Sequence, residues 1–308
     1  MADVVITEFM DEAAVADLRR THDVHYDANL VDKPAELLRL AAGARALIVR
    51  NRTQVRGELL ASARTLICVG RLGVGLDNID LEACRARNIA VLPATGANDL
   101  GVAEYVVGTA MVLLRGAYAS TGEVVAGKWP RNRLMGREIA GKTLGLIGFG
   151  SIGRLTAQLA RALGMSVAAF DPHLPADDPR WAEAERLELD ALLTSADVIS
   201  LHVPLTDATR RLLDASRLAR MKSGAILINA ARGGVIDEAA LAAALKAGRL
   251  GGAALDVFEE EPLSAARGAV FEDCPNLILT PHIAGVSVES NTRVSWLTVE
   301  NVRRTLGG

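Results

Sequence analysis

Cysteine is scarce in this 308-residue chain, and that excludes two ways of holding a fold together. Cys68, Cys84 and Cys274 are too few and too scattered for a disulfide framework or a Cys-rich zinc centre, so reduced thiols in a cytoplasmic protein are expected. No uninterrupted apolar run approaches membrane-spanning length, and the N-terminal stretch carries acids (Asp3, Glu8, Asp11, Glu12) where a secretory leader carries bases. A net charge of −3 gives no electrostatic footprint for nucleic acid or a membrane as partner. Repeats, low-complexity tracts and basic tails are missing as well. What remains, 50% hydrophobic and 23% charged, is a globular composition long enough for two cores.

Short β-branched runs alternate with helical patterns, the sequence form of a parallel α/β architecture. Strands are expected at 3–9, 22–26, 46–50, 65–69 and 89–92, and a second series at 143–148, 166–171, 198–203, 225–229, 252–257 and 277–279. Asn98 or Asp99 can cap a helix running to Arg115 that is apolar over most of its circumference, which predicts burial between two domains. Ser287 can cap a last helix to Leu306, and no sheet of the second series is left for it to join. Two doubly wound parallel-sheet domains are expected: 1–98 with 285–308 as a discontinuous, flavodoxin-like substrate domain, and 99–284 as a Rossmann NAD-binding domain inserted into it.

The run Lys142–Arg154 carries Gly148-x-Gly150-x-x-Gly153 between an apolar strand and a helix. In that context the first glycine makes the turn, the second admits a pyrophosphate and the third lets helix and strand close up. Ser151 and Ile152 open the helix whose N-terminus would face the phosphates. Asp171 ends the next strand 18 residues beyond Gly153, where an acid meets ribose hydroxyls. Its charge favours NAD over a 2′-phosphorylated cofactor. Gly136–Thr143 also spells G-x-x-x-x-G-K-[ST], but that loop precedes a strand instead of following one, so nucleoside triphosphate binding is not expected.

Five histidines leave few general acids for neutral pH. His22 and His25 have an H-x-x-H spacing without a third ligand, so no metal is expected; His173 follows the ribose acid and His202 a strand end. His282 follows the sixth strand of the second series, at the sheet edge where doubly wound folds bind ligands. Arg232 and Glu261 follow the fourth and fifth strands. Together they form a coherent set. Arginine can clamp a carboxylate with its fork, a carboxylate can orient an imidazole, and an imidazolium can protonate a carbonyl as hydride arrives. Ser151 lacks the glycine-flanked elbow of a serine hydrolase, with Phe149 at the critical place.

The motifs Gly148–Gly153, Ile228–Asp237, Leu255–Leu263, Thr280–Gly285 and Gly70–Asp80 resemble those of the NAD-dependent D-2-hydroxyacid dehydrogenases, over essentially the whole chain. The phosphoglycerate-dehydrogenase-like branch is the most similar, in a short form, and Ile6–Glu12 is also similar to sulfolactate-dehydrogenase-like members. The resemblance implies Arg232, Glu261 and His282 as the catalytic trio. It implies that Val203, Pro204, Ala230, Ala231, Asp256 and Ala284 join the glycine loop around NAD. Amides at Gly73, Val74 and Gly75 would receive the carboxylate of a small 2-oxo or 2-hydroxy acid, and the protein would be a homodimer. Glu261 argues against a formate dehydrogenase, and the intact trio against an NADH-sensing corepressor. Arg50, Asn51 and Arg52 stand where the family often has Arg-Ser-Arg. They suggest an anionic substrate tail (phosphate, sulfonate or a second carboxylate), unless one arginine pairs with a surface acid. Phosphohydroxypyruvate comes first among the substrates, with 3-sulfopyruvate, hydroxypyruvate and glyoxylate as alternatives.

Overall fold

The strands Val4–Ile6 (β1), Val24–Tyr26 (β2), Ala46–Val49 (β3), Cys68–Arg71 (β4) and Ala90–Pro93 (β5) form an all-parallel sheet in the order β2-β1-β3-β4-β5. These assignments come from a computed structural model that describes residues 2–307. A parallel sheet covered by helices on both faces buries every side chain, which is why these strands read as solid apolar runs. Val4, Ile6, Ala46 and Ile48 pack on one face with Val294, Val299 and Val302 of the helix Val288–Leu306. Val5, Leu47 and Val49 pack on the other with Leu37, Leu59 and Leu60. The C-terminal helix is therefore part of the first unit, which comprises Met1–Asn98 and Val286–Gly308. Ser287 caps it by accepting the N–H of Ser290, and Gly307 ends it in a left-handed turn.

Asp99–Gly285 forms the second unit. Its seven strands are Thr143–Ile147 (β6), Ser166–Phe170 (β7), Glu185–Arg186 (β8), Val198–Leu201 (β9), Ile226–Asn229 (β10), Gly252–Leu255 (β11) and Leu277–Leu279 (β12), all parallel, in the order β12-β11-β10-β9-β6-β7-β8. The chain reverses direction across the sheet where β6 lies between β7 and β9, the switch point of a Rossmann fold. The helix Asp99–Arg115 buries Val106, Ala110, Leu113 and Leu114 against Ala157 and Ala160 of the helix Ser151–Ala162. Among the described residues, no single helix is long and apolar enough to cross a membrane.

Most strands are one or two residues shorter or shifted relative to the expected bounds, two depart further, and one is added. The first strand stops at Ile6 instead of Phe9, because Thr7, Glu8 and Phe9 turn toward the loop after β3. The fourth begins at Cys68 and runs through Gly70 to Arg71, not from Thr65 to Val69. Gly70 would ordinarily weaken a strand, but here it lets the C-terminal helix approach closely. β8 is a two-residue exposed edge strand without any apolar period, so no sequence pattern marks it.

A Cβ on Gly70 would lie 2.8 Å from Val302 Cγ2 and 2.9 Å from Thr298 Cγ2. Gly70→Ala is expected to destabilise the first unit by about 1–3 kcal/mol through overpacking. Thermal melting would read this as a lowered midpoint; an unchanged one would mean that the helix can shift at no cost.

Candidate active site

The glycine loop after β6 meets the steric demands of a bound pyrophosphate. Gly148 has φ +94° and lies so close to the β9 end that a Cβ would sit 2.4 Å from His202 O and 3.0 Å from Val203 Cγ1. A Cβ on Gly153 would sit 2.6 Å from Gly148 O, whereas one on Gly150 would meet nothing within 4 Å. The close-packed positions and the open one fall where dinucleotide binding needs them. The helix Ser151–Ala162 begins after Gly150 without a side-chain cap, so its first N–H groups suit an anion. Asp171 accepts the N–H of Phe149 at 2.9 Å and of His173 at 2.9 Å, which fixes its carboxylate beside the loop. Val203 and Pro204 follow β9, and Ala230 and Ala231 follow β10, at the same sheet edge.

The expected trio gathers at the ends of three neighbouring strands. Arg232 follows β10, Glu261 follows β11 and His282 follows β12. Glu261 Oε2 lies 2.7 Å from His282 Nδ1, and the N–H of Phe258 donates to Glu261 Oε1 at 3.0 Å. Burial opposes ionisation of Glu261. The bond and charge of His282, the Phe258 amide and the Arg232 charge outweigh it and hold the carboxyl below its ordinary pKa. With Nδ1 engaged, Nε2 is the imidazole nitrogen left for chemistry. The Arg232 loop is pressed onto the Glu261 loop: a Cβ on Gly233 would lie 1.7 Å from Phe258 O, so only glycine fits. Arg232 Nη1 donates to Ala231 O at 2.6 Å, and Asn229 braces the turn by accepting from Ala231 N and donating to Arg232 O.

Asp256, at the end of β11, is 1% exposed. Its carboxylate accepts from Thr280 Oγ1 at 2.6 Å and from the amides of Ile283 and Ala284 at 2.8 Å each. A carboxylate has about four acceptor sites, which leaves one for a cofactor amide. Neither Thr280 nor Tyr105, whose hydroxyl lies 2.7 Å from Thr280 Oγ1, was singled out from the sequence.

In the first unit, the switch point between β1 and β3 holds a second cluster. Glu8, 4% exposed, accepts the amides of Arg50, Arg52 and Thr53 and so shapes the loop after β3. Arg50 donates from Nε to Phe9 O at 2.8 Å and from Nη2 to Asn291, with its Cζ 3.7 Å above the Phe9 ring. Burial, and then the nearby charge of Arg71, push its pKa down to about 10. Asn51 is exposed. Arg52 is exposed as well and forms an ion pair with Asp32, so it does not share the surroundings of Arg50. Arg71 takes that place. It is buried, donates to Leu72 O at 2.5 Å and lies under the Gly73–Val74–Gly75 turn, where a Cβ on Gly73 would be 2.5 Å from its Nη1. A signal for it existed: like Arg232, Arg71 is an arginine among glycines just at a strand end.

The parallel unit with its glycine loop, and the carboxylate–imidazole pair beside an arginine, define a nicotinamide-dependent dehydrogenase. Residues 107–284 match the model of the D-isomer specific 2-hydroxyacid dehydrogenase NAD binding domain, and the chain belongs to that family. It is an NAD-dependent oxidoreductase acting on CH–OH groups of 2-hydroxy acids. It is 61% identical over 308 residues, 100% of the chain and 99% of the relative, to the (S)-sulfolactate dehydrogenase of Chromohalobacter salexigens. It is 37% identical to the D-3-phosphoglycerate dehydrogenase of Archaeoglobus fulgidus, covering 97% of the chain but only 56% of that relative. Among solved structures, D-lactate dehydrogenase from Aquifex aeolicus, complexed with NAD and lactic acid, superposes with a TM-score of 0.87 at 28% identity, over 98% of this chain and 95% of that one.

The remaining histidines lie outside this cluster. His22 bonds Thr21, His173 is exposed, and no group of metal ligands exists among the described residues. His202 lies 3.0 Å from Ser200 Oγ, and burial lowers its pKa from 6.5 to about 4. A histidine depressed in the folded state contributes its full stability above its unfolded value and loses it as the unfolded chain takes up the proton first. The melting temperature is therefore expected to fall between pH 6.5 and about 4. His202→Gln should flatten that part of the profile, and an unaltered slope would show that His202 charges freely in the folded protein.

Proposed function

We propose that the chain interconverts 3-sulfolactate and 3-sulfopyruvate, with His282 as acid–base, Glu261 as its orienting partner and Arg232 as the clamp on the substrate carboxylate. A bound nicotinamide would donate the hydride to C2 as NADH, or accept it from C2 as NAD+ in reverse. In the reductive direction His282 Nε2 gives its proton to the developing alkoxide, while Glu261 at Nδ1 stabilises the imidazolium before transfer. Arg232 holds the carboxylate and polarises the neighbouring carbonyl. The glycine loop, Asp171, Val203, Pro204, Ala230, Ala231, Asp256 and Ala284 hold the cofactor. Within the first unit, the turn amides of Gly73–Gly75 and the cationic pair Arg50 and Arg71 are groups suited to anions.

The observation that carries the substrate reading is the pair of buried guanidiniums, Arg50 and Arg71, at the paired ends of β3 and β4, where their like charges repel. A tetrahedral anion would relieve that repulsion, and the full-length 61% identity to a sulfolactate dehydrogenase favours sulfonate over phosphate. Stereochemistry agrees: hydride added to the face that gives D-glycerates gives S-sulfolactate, because sulfur changes the substituent priorities. Phosphohydroxypyruvate is the second reading, since its phosphate also presents three terminal oxygens on a tetrahedral anionic centre. Arg52, paired with Asp32, has a structural role, and Asn51 is exposed beside it in sequence.

We also assign the protein to the reducing cytoplasm, in line with its unpaired thiols, and to a homodimer. The segment after the helix Asp99–Arg115 exposes Val125 by 83%, Trp129 by 73% and Met135 by 84%, an apolar surface suited to a second copy. Sedimentation should give twice the chain mass, and a monomer at micromolar concentration would refute the assignment.

Initial rates with NADH should rank 3-sulfopyruvate above phosphohydroxypyruvate, hydroxypyruvate and glyoxylate. Arg50→Met should raise KM for sulfopyruvate about 10–100-fold, the worth of a charge-assisted bond, and leave glyoxylate within a factor of two. Equal effects on both substrates would remove the anionic-tail assignment.

A further inference from the structure

His282 has φ +56°, a left-handed conformation that is uncommon outside glycine, though histidine adopts it more readily than most residues. Its own N–H donates to Asp256 O at 2.8 Å and to Thr280 O at 3.0 Å. The next two amides, of Ile283 and Ala284, end on the two carboxylate oxygens of Asp256. The backbone of the imidazole-bearing turn is thus fastened to one buried carboxylate.

Thr280 donates its only hydroxyl proton to Asp256 Oδ1 at 2.6 Å. Its 2.7 Å contact with Tyr105 must then run the other way, with the phenol donating to Thr280. Burial, and the charge of Asp256, push the Tyr105 pKa up against the Thr280 bond, so the phenol keeps its proton. A chain of aligned donors runs from the helix Asp99–Arg115 through Thr280 to the carboxylate, each bond polarising the next.

We propose that Thr280 and Tyr105 are positioning residues that act through Asp256 to hold His282 in line with Glu261. This inference rests on the acid–base reading of His282. Neither hydroxyl touches the imidazole; both act by fixing the orientation of Asp256, whose carboxylate anchors the turn. Loss of the Thr280 hydroxyl leaves Asp256 Oδ1 with the Ile283 amide alone and Tyr105 without its acceptor, in a half-buried place where water cannot fully substitute. The carboxylate then rotates and the imidazole leaves the line to Glu261. Substrate affinity, assigned to Arg232 and the first unit, is untouched.

The test compares Thr280→Val, Thr280→Ser, Tyr105→Phe and His282→Asn in the full chain with NADH and 3-sulfopyruvate, or with the fastest oxo acid of the screen above. Thr280→Val is expected to lower kcat about 10–100-fold, as small misplacements of a reacting group do, with the oxo-acid KM within a factor of two. Thr280→Ser should restore kcat to within about threefold, and Tyr105→Phe should lower it less than Thr280→Val does. Full kcat in both Thr280→Val and Tyr105→Phe, beside an inactive His282→Asn, would overturn the positioning role alone. A fall in kcat that tracks melting temperature and is not rescued by serine would also overturn it. Retained turnover in His282→Asn would instead sink the acid–base reading. If Thr280→Val does not fold, Tyr105→Phe decides by the same split between kcat and KM.

Discussion

A buried carboxylate held by the donors of one loop is the constraint on which the candidate site of the second unit depends. Asp256 gives up water at the end of β11, and an isolated charge in that position would be costly. Three donors replace the water, and all of them belong to the segment Thr280–Ala284. The ion therefore cannot be solvated unless that turn adopts the shape that carries His282. The backbone strain at His282 is offset by the same bonds.

The first unit uses this device a second time. Glu8 leaves the end of β1 and accepts three amides from the loop after β3. There the loop carries Arg50 instead of a histidine. Both carboxylates sit at the C-terminal edge of a parallel sheet, where loops must cross open ground between strand and helix. A loop with its own amides pointing inward at a fixed anion is stiff without being long. Each functional side chain can then be presented with little reorganisation.

Much of this was legible in the chain. Apolar runs of four or five residues separated by helical patterns require a covered parallel sheet. The glycine spacing after β6 is demanded by atoms that a Cβ would strike. Arg232 and His282 could be placed because strands of known order bring their ends to one edge. Three features were not legible. β8 has two polar residues and no period. Arg71 was hidden because the apolar run suggests a strand over 65–69, whereas the close approach of the C-terminal helix puts Gly70 inside the strand. Arg50 and Arg52, two residues apart, looked equivalent, yet one is buried over Phe9 and the other pairs with Asp32 at the surface.

Sequence alone determined most of the succession of strands and helices, the two parallel sheets and the residues able to move a proton or clamp a carboxylate, because these follow from period, glycine spacing and the reactivity of side chains. Tertiary structure decided which of those side chains meet. Contacts such as Tyr105 with Thr280 or Glu8 with Arg50 join residues far apart in the chain, and no local preference encodes them. They exist because burying a charge leaves it only the partners that packing brings within reach.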